Sequence, residues 1–243
     1  MSKMMMQDVY AGVTLDKAVM LVSDPKDGDI KKAKPKLRFK DEAQRAKHRM
    51  DMARRRFIRT VNATFRPGDL YATLTFDDDH EVHTFSEARH IRDVFWRRLR
   101  RANKDAAMVI VMGRGKSTSR IHFHLVVQGL TQEDIKRCWT WGMVLEPIRV
   151  LRAHNKYDNV DHGADFRGLA SYLFDHWSEE QGGHYYKGTR NMRQADRDEP
   201  EECDNLYTDK YPPEAPEGYI YIGCDPTPYG YICFHYVRDP KRE

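Results

Sequence analysis

The stretch Arg120-Ile121-His122-Phe123-His124-Leu125-Val126-Val127-Gln128 sets two imidazoles one residue apart in an otherwise apolar run. Side chains alternate across a strand, so His122 and His124 share one face while Ile121, Phe123, Leu125 and Val127 share the other. The apolar set marks the face that packs on a core. The histidine face is compatible with a metal ion held by both imidazoles or with two surface histidines on an exposed sheet, and the flanking segments decide between them.

Working outward, the turn Arg66-Pro67-Gly68-Asp69 precedes Leu70-Tyr71-Ala72-Thr73-Leu74-Thr75-Phe76, whose alternation predicts a half-buried first strand. Thr84-Phe85-Ser86-Glu87 is a capping box opening a helix with Phe85, Ala88, Ile91, Phe95 and Leu99 on one side. Ala107–Met112 reads as a second strand, joined to the histidine strand by the Gly-, Ser- and Thr-rich turn 113–119. Thr131 then opens a helix reaching to near Gly142, and Met143–Leu151 reads as a fourth strand. The order strand, helix, strand, strand, helix, strand predicts an α+β, ferredoxin-like (split βαβ) antiparallel sheet, with helices on one face and the other face open for a ligand.

Three consecutive parts are expected. Residues 1–66 comprise a loosely ordered leader and a long basic helix from Asp41 to about Asn62. Residues 67–195 hold the sheet and a further helix from Asp165 to about Glu179, with Phe166, Leu169, Ala170, Leu173 and Trp177 at helical spacing. Residues 196–243 comprise an acidic linker and a hairpin turning at Asp225–Gly230. Trp139, Trp141 and Trp177 are expected in the core.

The four cysteines have no C-x-x-C spacing, and no apolar run approaches the roughly 18 residues of a membrane span, so a reduced, cytoplasmic, membrane-free protein is expected. The net charge is only +4, but Lys31–Arg66 is densely basic, which suits phosphate neutralisation and salt-dependent nucleic-acid binding. Gly113-Arg114-Gly115-Lys116-Ser117-Thr118 resembles a phosphate-binding loop, but the glycine that motif requires is Ile110 here, so no nucleotide cofactor is expected.

Taken together and in order, Tyr71-Ala72-Thr73-Leu74-Thr75-Phe76, His122-Phe123-His124 and Leu169-Ala170-Ser171-Tyr172-Leu173 resemble the three motifs of HUH endonucleases, in particular the rolling-circle replication initiators of plasmids and phages. The resemblance covers roughly residues 54–193. It implies a fold of HUH endonuclease type in which His122 and His124 hold a divalent ion, Mg²⁺ or Mn²⁺. It also implies that Tyr172 attacks a phosphodiester in single-stranded or hairpin origin DNA, leaving a 5′-phosphotyrosine and a free 3′-hydroxyl. A host helicase and polymerase would be partners.

His176, four residues after Tyr172, is a candidate general base toward it. The third metal ligand is open among Asp77, Asp78, Glu146 and water. Arg54, Arg55, Arg56, Tyr71, Lys116, Tyr186, Lys187 and Arg190 are the candidate DNA contacts, the tyrosines by stacking on bases. A conjugative relaxase or tyrosine transposase would share this chemistry. A water-activated metal nuclease or a non-catalytic ferredoxin-like nucleic-acid-binding protein are the other readings.

Overall fold

The computed structural model describes residues 2–23, 37, 39–115, 119–146, 148–151, 164–177, 181, 185–203, 206–227 and 230–242. Along the chain run β1 (Ser2–Ala11), β2 (Thr14–Ser23), α1 (Glu42–Thr64), β3 (Leu70–Thr75), α2 (Phe85–Ala102), β4 (Ala107–Arg114), β5 (Ile121–Gln128) and α3 (Gln132–Cys138). They continue with β6 (Arg149–Val150), α4 (Arg167–Phe174), β7 (Lys187–Gly188), β8 (Asp196–Arg197), β9 (Glu201–Glu202), β10 (Tyr219–Pro226) and β11 (Tyr231–Arg238). The fold is α+β, with two antiparallel sheets and four helices among the described residues. Two compact units divide the chain, one of Met1–Ala63, Ala153–Asp165 and Gln194–Glu243, the other of Thr64–Arg152 and Phe166–Arg193.

In the second unit the sheet order is β6-β3-β5-β4-β7. β5 pairs on one side with β3, Thr73 opposite His124, and on the other with β4, Gly113 opposite His122. Ala72 and Leu74 of β3, Met108 and Ile110 of β4 and Phe123 and Leu125 of β5 meet Phe85, Phe95 and Leu99 of α2 and Ile135 of α3 in one core. Phe123 sits among Phe76 and Trp139, their ring centroids 5.5 Å from its own. Thr84 caps α2 in the reciprocal arrangement expected from its sequence, and Thr131 caps α3 in the same way.

Three expectations for this unit are corrected. The helix opened by Thr131 stops at Cys138 rather than near Gly142, its last turn passing directly into the extended Trp139. The fourth strand is reduced to Arg149–Val150, preceded by a separate stretch in which Met143 and Leu145 exchange backbone hydrogen bonds with Thr75 and Thr73. Gly142 makes that approach possible: its φ is +147°, and a Cβ there would stand 2.3 Å from the Thr75 carbonyl oxygen. Nor is the second face of the sheet open, since Tyr71, Val109, Val111, His124 and Val126 on it are buried. Helix α4 accounts for part of the cover, through Tyr172 packed on His124.

The first unit is built from both ends of its sequence. Residues expected to form a loose leader are instead the hairpin β1–β2, closed by the two-residue turn Gly12-Val13 with Gly12 at φ +64°. The C-terminal hairpin β10–β11 forms as expected, and its second strand pairs with β2, giving the order β10-β11-β2-β1-β8. The acidic segment expected as a linker supplies β8 and β9, both paired to β1. Lys17, in the middle of β2, is buried against Asp8 directly across the hairpin at 2.7 Å. Helix α1 begins where Asp41 accepts from the Gln44 N–H and buries Phe57, Ile58 and Val61 in its second half.

Removing the Phe123 ring leaves a cavity in the aromatic cluster of the second unit. Phe123→Ala is expected to cost about 3–5 kcal/mol, read as a shift in denaturant midpoint.

Candidate metal centre

Three histidines converge in the second unit. The alternation of β5 brings His122 and His124 to one face, their Nε2 atoms 3.1 Å apart. His176 comes from beyond the end of α4. The backbone turns there, the His176 N–H donating to the Leu173 carbonyl, and its ring packs with centroids 4.3 Å from His124 and 5.6 Å from His122. One ring nitrogen from each of the three lies within 4.8 Å of the other two.

The orientation of each ring is fixed from behind. His124 Nδ1 meets the Tyr71 hydroxyl at 2.8 Å, His176 Nδ1 donates to the Tyr172 carbonyl at 2.8 Å, and His122 Nδ1 faces the Arg120 carbonyl at 3.4 Å. The Tyr172 carbonyl lies in the last turn of α4, where carbonyls lack a helical partner, so His176 also caps the helix. With the protons at Nδ1, Nε2 is the lone-pair atom of each ring, the usual outer support of histidines that bind metal.

Burial, followed by the neighbouring His176 and His122, pushes His124 down to about 2, and burial likewise lowers His122. Both imidazoles are therefore neutral at pH 7, the form that ligates. A separation of 3.1 Å suits one Nε2–H···Nε2 hydrogen bond between the rings, and with both protons at Nδ1 it suits a cation shared by the two lone pairs. Two metal–nitrogen bonds of about 2.1 Å meeting near a right angle span about 3 Å. The donor set therefore fits a divalent ion.

Gly113 is the space that makes the cluster possible. A Cβ there would stand 2.7 Å from His176 Cδ2 and 2.9 Å from His122 Nε2, so any side chain would displace two of the three rings. Gln181, 1% exposed, ties the same region together, its side-chain amide donating to the carbonyls of Met112 on β4 and His176. Neither was found from sequence: a glycine in a strand signals close approach without naming what approaches, and Gln181 has no motif around it.

Tyr172 is 50% exposed, its ring 4.4 Å from His176 and 5.6 Å from His124 by centroids. His176 thus stands with the histidine pair as a third candidate ligand. The carboxylates considered for that place are engaged elsewhere: Asp77 with His80, Asp78 with Arg120 and Glu146 with Lys136.

The candidate DNA contacts separate. Tyr71 is buried, and burial pushes its phenol up to about 12; it holds His124 and is not available for stacking on bases. Arg55 is also buried, ion-paired with Asp225 and lying over the Tyr231 ring, so it belongs to the packing of the first unit. Arg54 is half-buried, while Arg56 and Arg190 are exposed. Lys187 pairs with Asp93 at 2.8 Å and lies over Trp96. Tyr186 is half-buried beside Gly188, and Lys116 lies outside the described residues. Of the tryptophans, Trp139 is in the core, Trp141 is partly buried against it and under Arg98, and Trp177 is half-buried on Tyr185.

Two sets of variants test these assignments. Gly113→Ala and Tyr71→Phe are each expected to weaken Mn²⁺ binding about tenfold or more by calorimetric titration, with unchanged far-UV circular dichroism. Arg55→Ala is expected to lower the melting temperature, whereas Arg56→Ala leaves it within the small range of a surface substitution. Among the described residues no helix is long and apolar enough to cross a membrane. Comparison of the chain with protein-family models, with curated proteins and with solved structures finds no match.

Proposed function

We propose that this protein is a metal-dependent endonuclease of the HUH type that nicks and rejoins single-stranded DNA to start rolling-circle replication, with Tyr172 as the nucleophile. The observation that carries the reading is a half-exposed tyrosine at the rim of three convergent imidazoles. The strand order β6-β3-β5-β4 supports it as well, being the order of a ferredoxin-like sheet. Such a sheet sets the histidine strand in the middle, between the strand bearing Tyr71 and the strand bearing Gly113.

A phenol is a weak nucleophile at neutral pH, and the phosphodiester it attacks accumulates charge. A divalent ion bound by His122, His124 and His176 would supply Lewis-acid polarisation of the phosphate oxygens. An all-imidazole donor set favours Mn²⁺ over the harder Mg²⁺. The chain's own residues do the rest. Tyr71 and Thr73 hold the His124 ring, Gln181 and the Tyr172 carbonyl hold His176, and α4 sets the half-exposed Tyr172 beside them, its side chain hydrogen-bonded to Tyr71.

In the transfer, the bond between Tyr172 Oη and phosphorus forms as the bond to the 3′ oxygen breaks. The phenolic proton passes to water, and the departing oxygen takes up a proton to become a 3′-hydroxyl. The phosphodiester energy is kept in the phosphotyrosine, so rejoining needs no ATP. Exposed Arg190 and Arg56 are the remaining candidates for phosphate contacts, with Lys187 and Tyr186 beside Arg190 in sequence.

Incubation with Mn²⁺ and a pool of single-stranded and hairpin oligonucleotides labelled at the 3′ end is expected to yield protein-linked label on denaturing gels. Tyr172→Phe should abolish the linkage, and His124→Ala should reduce it by about a hundredfold or more. Cleavage that persists in Tyr172→Phe without linkage would identify water as the nucleophile. Binding without cleavage in any metal would identify a non-catalytic binder.

A further inference from the structure

The run Arg97-Arg98-Leu99-Arg100-Arg101 near the end of α2 has no part in the proposed nicking chemistry. Leu99 packs in the core, which lies on the face of the sheet opposite the histidines. Where α2 and α3 end, an open cleft of about 440 Å³ lies between them, lined by Arg98, Arg101 and Ala102 of α2, Arg137 and Cys138 of α3, and Thr140.

The three guanidiniums of this cleft come from two helices and are held differently. Arg98 is fixed, its guanidinium carbon 4.4 Å from the Trp141 ring centroid. Its Nη1 donates to Thr140 Oγ1 at 2.7 Å and to the Cys138 carbonyl at 3.1 Å. Arg101 is exposed and has no hydrogen-bond or ion-pair partner among the described residues. Arg137 is exposed as well and pairs with Asp134 of its own helix. Because Thr140 Oγ1 accepts from Arg98, its own proton is left to donate. Burial pushes the Cys138 thiol up, so it adds no negative charge.

Cations at helix C-termini are stabilised by the macrodipole, the simplest use for such residues. That use does not absorb them all. Each helix end carries about half a negative charge and Asp134 one more, against three arginines, and exposed Arg97 and Lys104 add to the excess. Arg97 and Arg101 lie four apart on one side of α2, a rise of about 6 Å. A duplex presents one charge per about 1.7 Å of its axis, so a row of that length meets several.

The surroundings of the cleft select the anion. Guanidiniums and a hydroxyl suit phosphate oxygens. Sites for single strands add aromatic faces on which bases stack, but here Arg98 covers Trp141 and Trp139 is buried. Contact with a backbone alone is what remains, the means by which proteins hold a duplex without reading its bases.

We propose that the cleft between the ends of α2 and α3 binds the phosphate backbone of duplex DNA, with Arg101 and Arg137 as its exposed contacts and Arg98 and Thr140 as its floor. That the duplex is DNA rests on the function proposed above. The cleft itself lies across the sheet from the histidines and takes no part in cleavage.

Anisotropy of a labelled DNA hairpin with a blunt stem, titrated with the full-length protein over a salt series in EDTA, tests the cleft without metal or cleavage. Its outcome is therefore independent of whether Tyr172 nicks DNA. Arg101→Ala with Arg137→Ala is expected to weaken binding about tenfold or more and to lower the slope of log affinity against log salt by about 2. The melting temperature should stay within the small range of surface substitutions. Arg101→Lys with Arg137→Lys keeps the charge and is expected to restore the slope. No binding by the unsubstituted protein, or a slope unchanged in the alanine pair, would overturn the proposal. An equal fall in slope for Arg238→Ala with Lys241→Ala in the first unit would also overturn it, leaving an effect of net charge. Displacement of the hairpin by millimolar inorganic phosphate at constant ionic strength would assign the cleft to free phosphate instead.

Discussion

The antiparallel pairing of β5 between β3 and β4 is the constraint on which the rest of the second unit depends. It places Phe123 among Phe76 and Trp139 on one face and, by alternation alone, His122 and His124 on the other. A slip of one residue would carry the imidazoles into the aromatic core and Phe123 to the opposite face, so the core that fixes the register also fixes the histidine pair. The same register puts Thr73 beside His124 and Gly113 beside His122. The support behind one ring and the space before the other are thus set by the sheet rather than by loops.

What could be read from sequence follows this division. Elements whose reasons are local were legible: β3 and β5 from alternation, β4 from its short apolar run, α2 from its capping box, α3 from Thr131 at its start, α1 from its composition and the last hairpin from its turn. The histidine pair and the neighbouring tyrosine were legible for the same reason, each lying on an element with a clear period. The β1–β2 hairpin was not, because Asp16 and Lys17 occupy buried positions where an apolar residue is expected. Their compensation comes from Asp8 across the turn and from Arg59 and His235 far along the chain.

Arg55 and Tyr71 were misjudged by the same logic. A basic residue in a charge run and an aromatic residue in a strand carry no local mark of burial, and only the partners Asp225, Tyr231 and His124 reveal it. His176 was paired with Tyr172 by helical spacing, and the two rings do meet, 4.4 Å apart by centroids, although α4 ends at Phe174. It is the turn beyond, tied down by Gln181, that carries the ring to His124.

The pairing of β2 with β11 has a consequence for the order in which the molecule is made. Those strands lie more than two hundred residues apart, whereas all the described strands of the second sheet lie between Leu70 and Gly188. On a ribosome the second unit can therefore close first, while β2 waits with one edge unpaired until the final strand emerges. Contacts so distant in sequence form slowly, and an unpaired strand edge is a template for joining other chains. A charge buried on β2 thus has a use before folding is complete. Asp16 keeps a charge at that waiting edge until His235 arrives with β11 to pair with it.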